Sequence, residues 1–186
     1  MGQKRRTRRA LVEAARELLA EGLTPTVEQA AASAAVSRPT AYRYFRNQHA
    51  LLVATNPELA MDSLLPEDAP QDPLKRLDFV SKALVQLILQ NEVALRAMLR
   101  ISLERTGGKH PALAIRTGRR IGWIEDALAP LKSELTPTRY RRLLLQISAT
   151  LGIEPLVWLV DIASVERNEA GEILRASARE LLMGAL

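Results

Sequence analysis

Two short helical signals stand only a few residues apart between Thr26 and Phe45, and they fix what this part of the chain can become. Thr26 reads as the N-cap of the first, and Gln29, three residues on, completes a capping box. Ala30, Ala31 and Ala34 let that helix pack closely. Ala35-Val36-Ser37 makes the turn, with Val36 as a buried plug. Ser37 caps the second helix, and Pro39 falls in its first turn, where a missing N–H costs little. Two short helices at this spacing form a helix-turn-helix.

The flanks support the same reading. A first helix is predicted from about Thr7 to Glu21, with Leu11, Ala14, Ala15, Leu18 and Leu19 at helical spacing and Gly22 as its stop. Asn47 caps a fourth helix containing Ala50, Leu51, Leu52 and Ala54. Pro57 interrupts it, so a kink or restart is expected at Asn56. A proline-rich acidic loop follows over 66–73. Helices are then predicted over residues 73–90, 92–105 (ended by Gly107-Gly108), 111–131, 137–162 and 166–182. Pro155 should disturb the fourth of these locally. No run of alternating β-branched residues reads as a sheet, so the chain is expected to be all-α. A domain boundary is expected at about residue 55, separating a three-helix helix-turn-helix domain from a helical domain over 56–186.

Composition excludes several functions. The absence of cysteine rules out disulfides, thiolate-bound zinc and thiol catalysis, and it fits a reducing compartment. His49 and His110 are the only histidines. There is no HExxH, no GxSxG and no phosphate-binding glycine loop, since Gly107-Gly108-Lys109 lacks the upstream glycine and the following Ser/Thr. An enzyme is therefore not expected, nor a cofactor or metal. No apolar run approaches the roughly 18–20 residues needed to span a bilayer. The N-terminus is basic with no apolar stretch behind it, unlike a secretory signal. A cytoplasmic location away from membranes is the expectation.

Charge is distributed unevenly. Residues 1–50 hold nine Lys/Arg against four Glu, an excess of five, which equals the net charge of the whole chain. All the excess thus sits on the segment with the helix-turn-helix, which points to a polyanionic partner. Major-groove reading uses side chains near the start of the second helix of such a motif. Arg38 suits bidentate contact with guanine O6 and N7. Pro39 and Thr40 offer apolar contact to thymine methyls, and Arg43 can reach a base or a phosphate. Lys4, Arg5, Arg6, Arg8 and Arg9 are expected as an arm ahead of the first helix, following the DNA backbone or entering a minor groove. Phe45 is expected in the core and His49 in solvent.

The run Thr26-Val27-Glu28-Gln29-Ala30-Ala31, then Ala34-Ala35-Val36-Ser37, Thr40-Ala41-Tyr42-Arg43-Tyr44-Phe45 and Ala50-Leu51-Leu52 resembles the N-terminal domain of TetR-family transcriptional regulators. The resemblance covers about residues 8–55. It implies phosphate contacts at Thr26, Tyr42 and Tyr44. Two positions depart from the family pattern. Ala35 replaces a common glycine, which would cost about 1 kcal/mol if the backbone there is left-handed. Gln48 replaces a phosphate-binding lysine; it can still donate a hydrogen bond, and Arg46 can supply the charge.

The resemblance further implies a repressor that binds a palindromic operator on double-stranded DNA as a homodimer and is released by a small-molecule effector. Its last two helices would pair in a four-helix bundle, with Leu145, Ala149, Gly152, Leu156, Leu159, Leu174 and Leu181 as interface candidates. Phe79, Met98, Leu99, Trp123 and Trp158 are candidate walls of an effector pocket, although each also reads as plain core. The alternative is a helical protein-interaction or membrane-surface module without specific DNA binding, for which the basic arm alone would serve.

Overall fold

The computed structural model of the chain describes residues 2–55, 61–104 and 111–186. The regular structure among these residues is all helical, with no strand, so the fold is all-α. They divide into two compact units, one made of residues 2–55 and 93–104, the other of 61–92 and 111–186.

The N-terminal unit is built from α1 (Gly2–Ala20), α2 (Val27–Ser33), α3 (Arg38–Tyr44) and α4 (Gln48–Ala54). Leu11, Val12 and Ala15 of α1 meet Val27, Ala30, Ala31, Ala41, Phe45 and Leu51 in one buried cluster. The small residues on α2 are what let α1 and α3 approach it. Gly22, at φ 79°, ends α1: its N–H donates to Leu19 O (2.9 Å) and the Leu23 N–H to Leu18 O (3.0 Å). α2 ends in the same way on Ala35, at φ 52°, with Ala35 N–H to Ala32 O (3.2 Å) and Val36 N–H to Ala31 O (2.8 Å). The backbone at Ala35 is thus left-handed without glycine. Asn47 caps α4 through its Oδ1, which accepts the Ala50 N–H at 2.8 Å. Arg16 Nε donates to Thr55 O at 2.9 Å and fastens the end of α4 to α1.

This unit also takes in a segment that the sequence assigned to the second domain. Ala94, Ala97 and Met98 of α6 (Glu92–Glu104) form an apolar stripe packed on Leu19 and Leu52. Two further expectations are corrected. α1 begins at Gly2, not near Thr7, so Lys4 to Arg9 lie on a helix and not on a loose arm. His49 is buried, only 8% exposed, where solvent was expected. The expected features at Asn56, Pro57 and Gly107-Gly108 lie outside the described residues.

The second unit contains α5 (Pro73–Gln90), α7 (Pro111–Ala127), α8 (Pro137–Thr150), α9 (Ile153–Val157) and α10 (Arg167–Met183). Asp72 caps α5, its carboxylate accepting the Leu74 N–H at 2.8 Å. α5 and α10 approach closely at Gly171, where a Cβ would sit 2.8 Å from Val85 Cγ1. The predicted helix over 111–131 is shorter, since a 3-10 turn at Ala129–Lys132 takes over around Pro130. The predicted helix over 137–162 is split. α8 stops at Thr150, and a π-helical turn over Trp158–Ile162 follows α9. Pro155 is the cause, because it has no N–H to give to Leu151 O. Arg120 Nη1 donates to that carbonyl instead, at 3.3 Å.

Candidate nucleic-acid interface

α3 is only seven residues long, and its position is set by one side. Ala41 is fully buried and the following Phe45 is 3% exposed, so both anchor the helix in the core. Arg38, Pro39, Tyr42 and Arg43 are left exposed on the opposite side. Thr40 and Tyr44 are half-buried, and Tyr44 packs against the core cluster. Arg46, just past α3, is exposed.

Thr26 forms the expected capping box. Its hydroxyl accepts the Gln29 N–H (3.1 Å), and Gln29 Oε1 accepts the Thr26 N–H (2.8 Å). Ser37 stands at the N-cap position of α3 without capping through its side chain. Its hydroxyl donates instead to the Thr40 hydroxyl at 2.9 Å. Thr40 keeps its own O–H proton for another acceptor.

Gln48 is engaged within the domain. Its Nε2 donates to both Thr24 O (3.2 Å) and Pro25 O (3.1 Å), which uses both amide protons. The side chain ties the start of α4 to the loop before α2. Only the Gln48 backbone N–H, in the first turn of α4, remains to meet an anion.

The arginines of α1 extend the basic surface. Arg5, Arg6 and Arg8 are all exposed, and the Arg8 guanidinium lies 5.5 Å above the Phe45 ring. This cation–π contact fixes α1 against the end of α3.

Sequence reasoning missed Glu28. Its Oε1 accepts from Arg38 Nη2 at 3.0 Å and from the Tyr42 hydroxyl at 2.5 Å. The Tyr42 hydroxyl, then its own backbone N–H and Arg38, hold the Glu28 carboxyl down to about 2. The same bond pushes the Tyr42 hydroxyl up. A signal was available, because Glu28 is the one acidic residue between 22 and 55. The contact crosses the turn, however, so no helical spacing announces it.

The pocket candidates divide between the two units. Met98 is buried among Leu19 and Leu52 in the N-terminal unit, and Leu99 lies half-buried on the same helix. Trp123 is buried in the second unit, its Nε1 donating to Met61 O at 2.9 Å. Phe79 and Trp158 are 46% and 56% exposed. Of the interface candidates, Gly152, Leu156 and Leu174 are buried in the core of their own chain. Leu145 and Ala149 are exposed and Leu159 and Leu181 half-buried. Two of the three buried residues face inward because the break after α8 turns α9 toward the core.

No single helix among the described residues is long and apolar enough to cross a membrane. No curated protein matches the chain. Residues 11–55 match the family described as bacterial regulatory proteins, tetR family. The match runs from the first buried leucine of α1 to the residue after α4, taking in every element of the helix-turn-helix. The N-terminal domain of this chain is thus a tetR-family domain, and the chain a DNA-binding transcriptional regulator.

Proposed function

We propose that the chain is a cytoplasmic, homodimeric repressor that occupies a palindromic operator and leaves it when a small molecule binds. The observation that carries the proposal is the outer side of α3. Arg38, Pro39, Thr40 and Arg43 stand at the start and middle of a helix locked by Ala41 and Phe45. Arg38 offers a fork for guanine, and Pro39 and Thr40 an apolar edge for thymine. Arg5, Arg6, Arg8 and Arg46 supply backbone contacts, Tyr42 and Tyr44 phosphate donors, and Thr26 a hydroxyl beside the α2 N-terminus.

One helix-turn-helix reads few base pairs, so a second copy is needed for a selective site. The second unit has a surface to recruit it. Leu145 is 40%, Trp158 56% and Ile162 70% exposed, an unusual set of large apolar side chains for a free surface. An open groove of about 650 Å³ runs between α8 and α10, with Arg142, Gln146 and Leu181 in its walls. Leu145, Ala149, Leu159 and Leu181 supply the apolar contact. The effector acts by binding one arrangement of the dimer better than another.

The test is selection from a random duplex pool, with the mass of the complex measured in solution. A palindromic motif bound by two copies is expected. Salt-sensitive binding with no enriched site would sink the proposal and favour an interaction module. The recovered site, set over a promoter in a reporter, distinguishes repression from activation.

A further inference from the structure

Glu28 sits where a regulator of DNA would be expected to avoid a carboxylate. It is the single acidic residue in the segment 22–55, and it lies against Arg38, the best base-reading side chain of α3. Its place in the first turn of α2 suits the helix dipole, but that does not require a carboxylate bonded to Arg38 and Tyr42. The Arg38 side chain is 71% exposed and that of Glu28 34%, and such surface pairs add little to folding. α2 and α3 are already joined by Val27, Ala30, Ala31, Ala41 and Phe45.

The geometry is that of an occupied anion site. Two donors, Arg38 Nη2 and the Tyr42 hydroxyl, converge on one oxygen at 3.0 and 2.5 Å. A phosphate oxygen would present the same acceptor to the same donors. We infer that Glu28 is a built-in competitor for DNA phosphate that makes the reading head selective for base edges over backbone. The inference rests on the DNA-binding function proposed for α3.

The selectivity comes from what ion pairing removes and what it leaves. Pairing cancels the net charge of Arg38, and charge is what drives non-specific attachment to phosphates. It does not consume the guanidinium. Arg38 spends one of its five N–H groups on Glu28 and keeps others for guanine O6 and N7, which are neutral acceptors. Tyr42 has a single O–H proton and gives it to Glu28, so it reaches a phosphate only by breaking that bond. On a random duplex the head therefore meets the backbone with one cation masked, one donor occupied and one carboxylate repelling it. On the right site, Arg38 binds its base with its Glu28 pair intact, and those base contacts offset the cost of turning the Tyr42 hydroxyl from Glu28 to a phosphate.

The experiment compares the full chain with Glu28→Gln in anisotropy titrations over a series of KCl concentrations. Each protein is offered the duplex selected from the random pool and a scrambled duplex of equal length. Glu28→Gln should bind the scrambled duplex about tenfold tighter at low salt, with a salt slope steeper by about one per head. The ratio of selected to scrambled affinity should fall. The gain should be smaller in an Arg38→Ala background. Unchanged or weaker binding to the scrambled duplex would overturn the inference, and so would an equal gain without Arg38, since bulk repulsion would then suffice. The scrambled arm needs no operator, so it tests Glu28 even if selection returns no site. A wild-type chain that binds neither duplex would instead bring down the DNA-binding reading itself. The Thr26 hydroxyl of the capping box also bonds the Glu28 carboxylate, so equal helical circular dichroism checks that α2 survives the change.

Discussion

The guanidinium of Arg120 fills the space that a side chain at residue 152 would need. A Cβ on Gly152 would lie 1.8 Å from Arg120 Nη1 and 2.5 Å from Glu154 Oε2. Arg120 reaches this point from α7 to bond Leu151 O and to pair with Glu154 at 2.8 Å. It thereby stitches the break that Pro155 imposes. The small residue at 152 thus serves a contact within the chain, whereas the sequence alone suggested a contact between chains.

Gly152→Ala should therefore destabilise the second unit. The obstructing atom is the end of a flexible side chain, so the backbone need not move. The cost is the loss of the bonds that Arg120 makes, about 1–3 kcal/mol. A lower urea midpoint followed by Trp123 fluorescence checks it. In an Arg120→Ala background the same substitution should cost much less, because nothing then stands in its way. Equal costs in both backgrounds would refute the relationship.

Ala35 holds φ 52° at the end of α2 without the glycine that makes this conformation easy. Ala35→Gly should stabilise the N-terminal unit by up to about 1 kcal/mol, less whatever the extra freedom of the unfolded chain takes back. Slower hydrogen exchange at the amides of α2 and α3 is the expected readout. Faster exchange would mean that the turn is relaxed with alanine in place.

Gln48 separates a structural role from a DNA-contacting one. Gln48→Ala removes two hydrogen bonds to Thr24 O and Pro25 O and should cost about 1–2 kcal/mol of stability in the head. The salt slope of DNA binding should stay unchanged, since the side chain carries no charge and its donors point inward. A flatter slope would show that the amide leaves the loop to meet phosphate.

Much of the N-terminal unit was legible because its signals are local. The Thr26–Gln29 box, the Gly22 stop and the Asn47 cap each depend on residues within five positions of one another, which a single sequence displays. In the second unit α5 was legible to its last residue, whereas the single helix read over 137–162 is α8, α9 and a π-helical turn. What failed was decided by partners distant in the chain. Arg120 sits 32 positions from Gly152. Met98 joins Leu19 and Leu52, so a helix expected in the second unit packs with the first. Gln48 finds two carbonyls in an earlier loop, and Arg38 finds Glu28 across the turn. Helical periodicity says which face is apolar, but not which distant element covers it.

The basic start of α1 offers the last prediction. A helix from Gly2 carries Lys4, Arg5, Arg6, Arg8 and Arg9 with no acidic residue in its first turn. These cations repel one another and the positive end of the helix dipole, so the first turns are weakened in free protein at low salt. A DNA backbone relieves that repulsion. Residues four apart share a helix face, so Lys4 and Arg8 lie together while Arg5 and Arg9 share another. One duplex surface cannot meet all five, and Arg5, Arg6 and Arg8 are the three proposed to reach it. Deleting residues 2–9 should thus flatten the salt slope by about three per head, not by five, and weaken selected and scrambled duplexes alike. An unchanged slope would show that the helical start stands clear of DNA. A loss confined to the selected duplex would show instead that it reads bases.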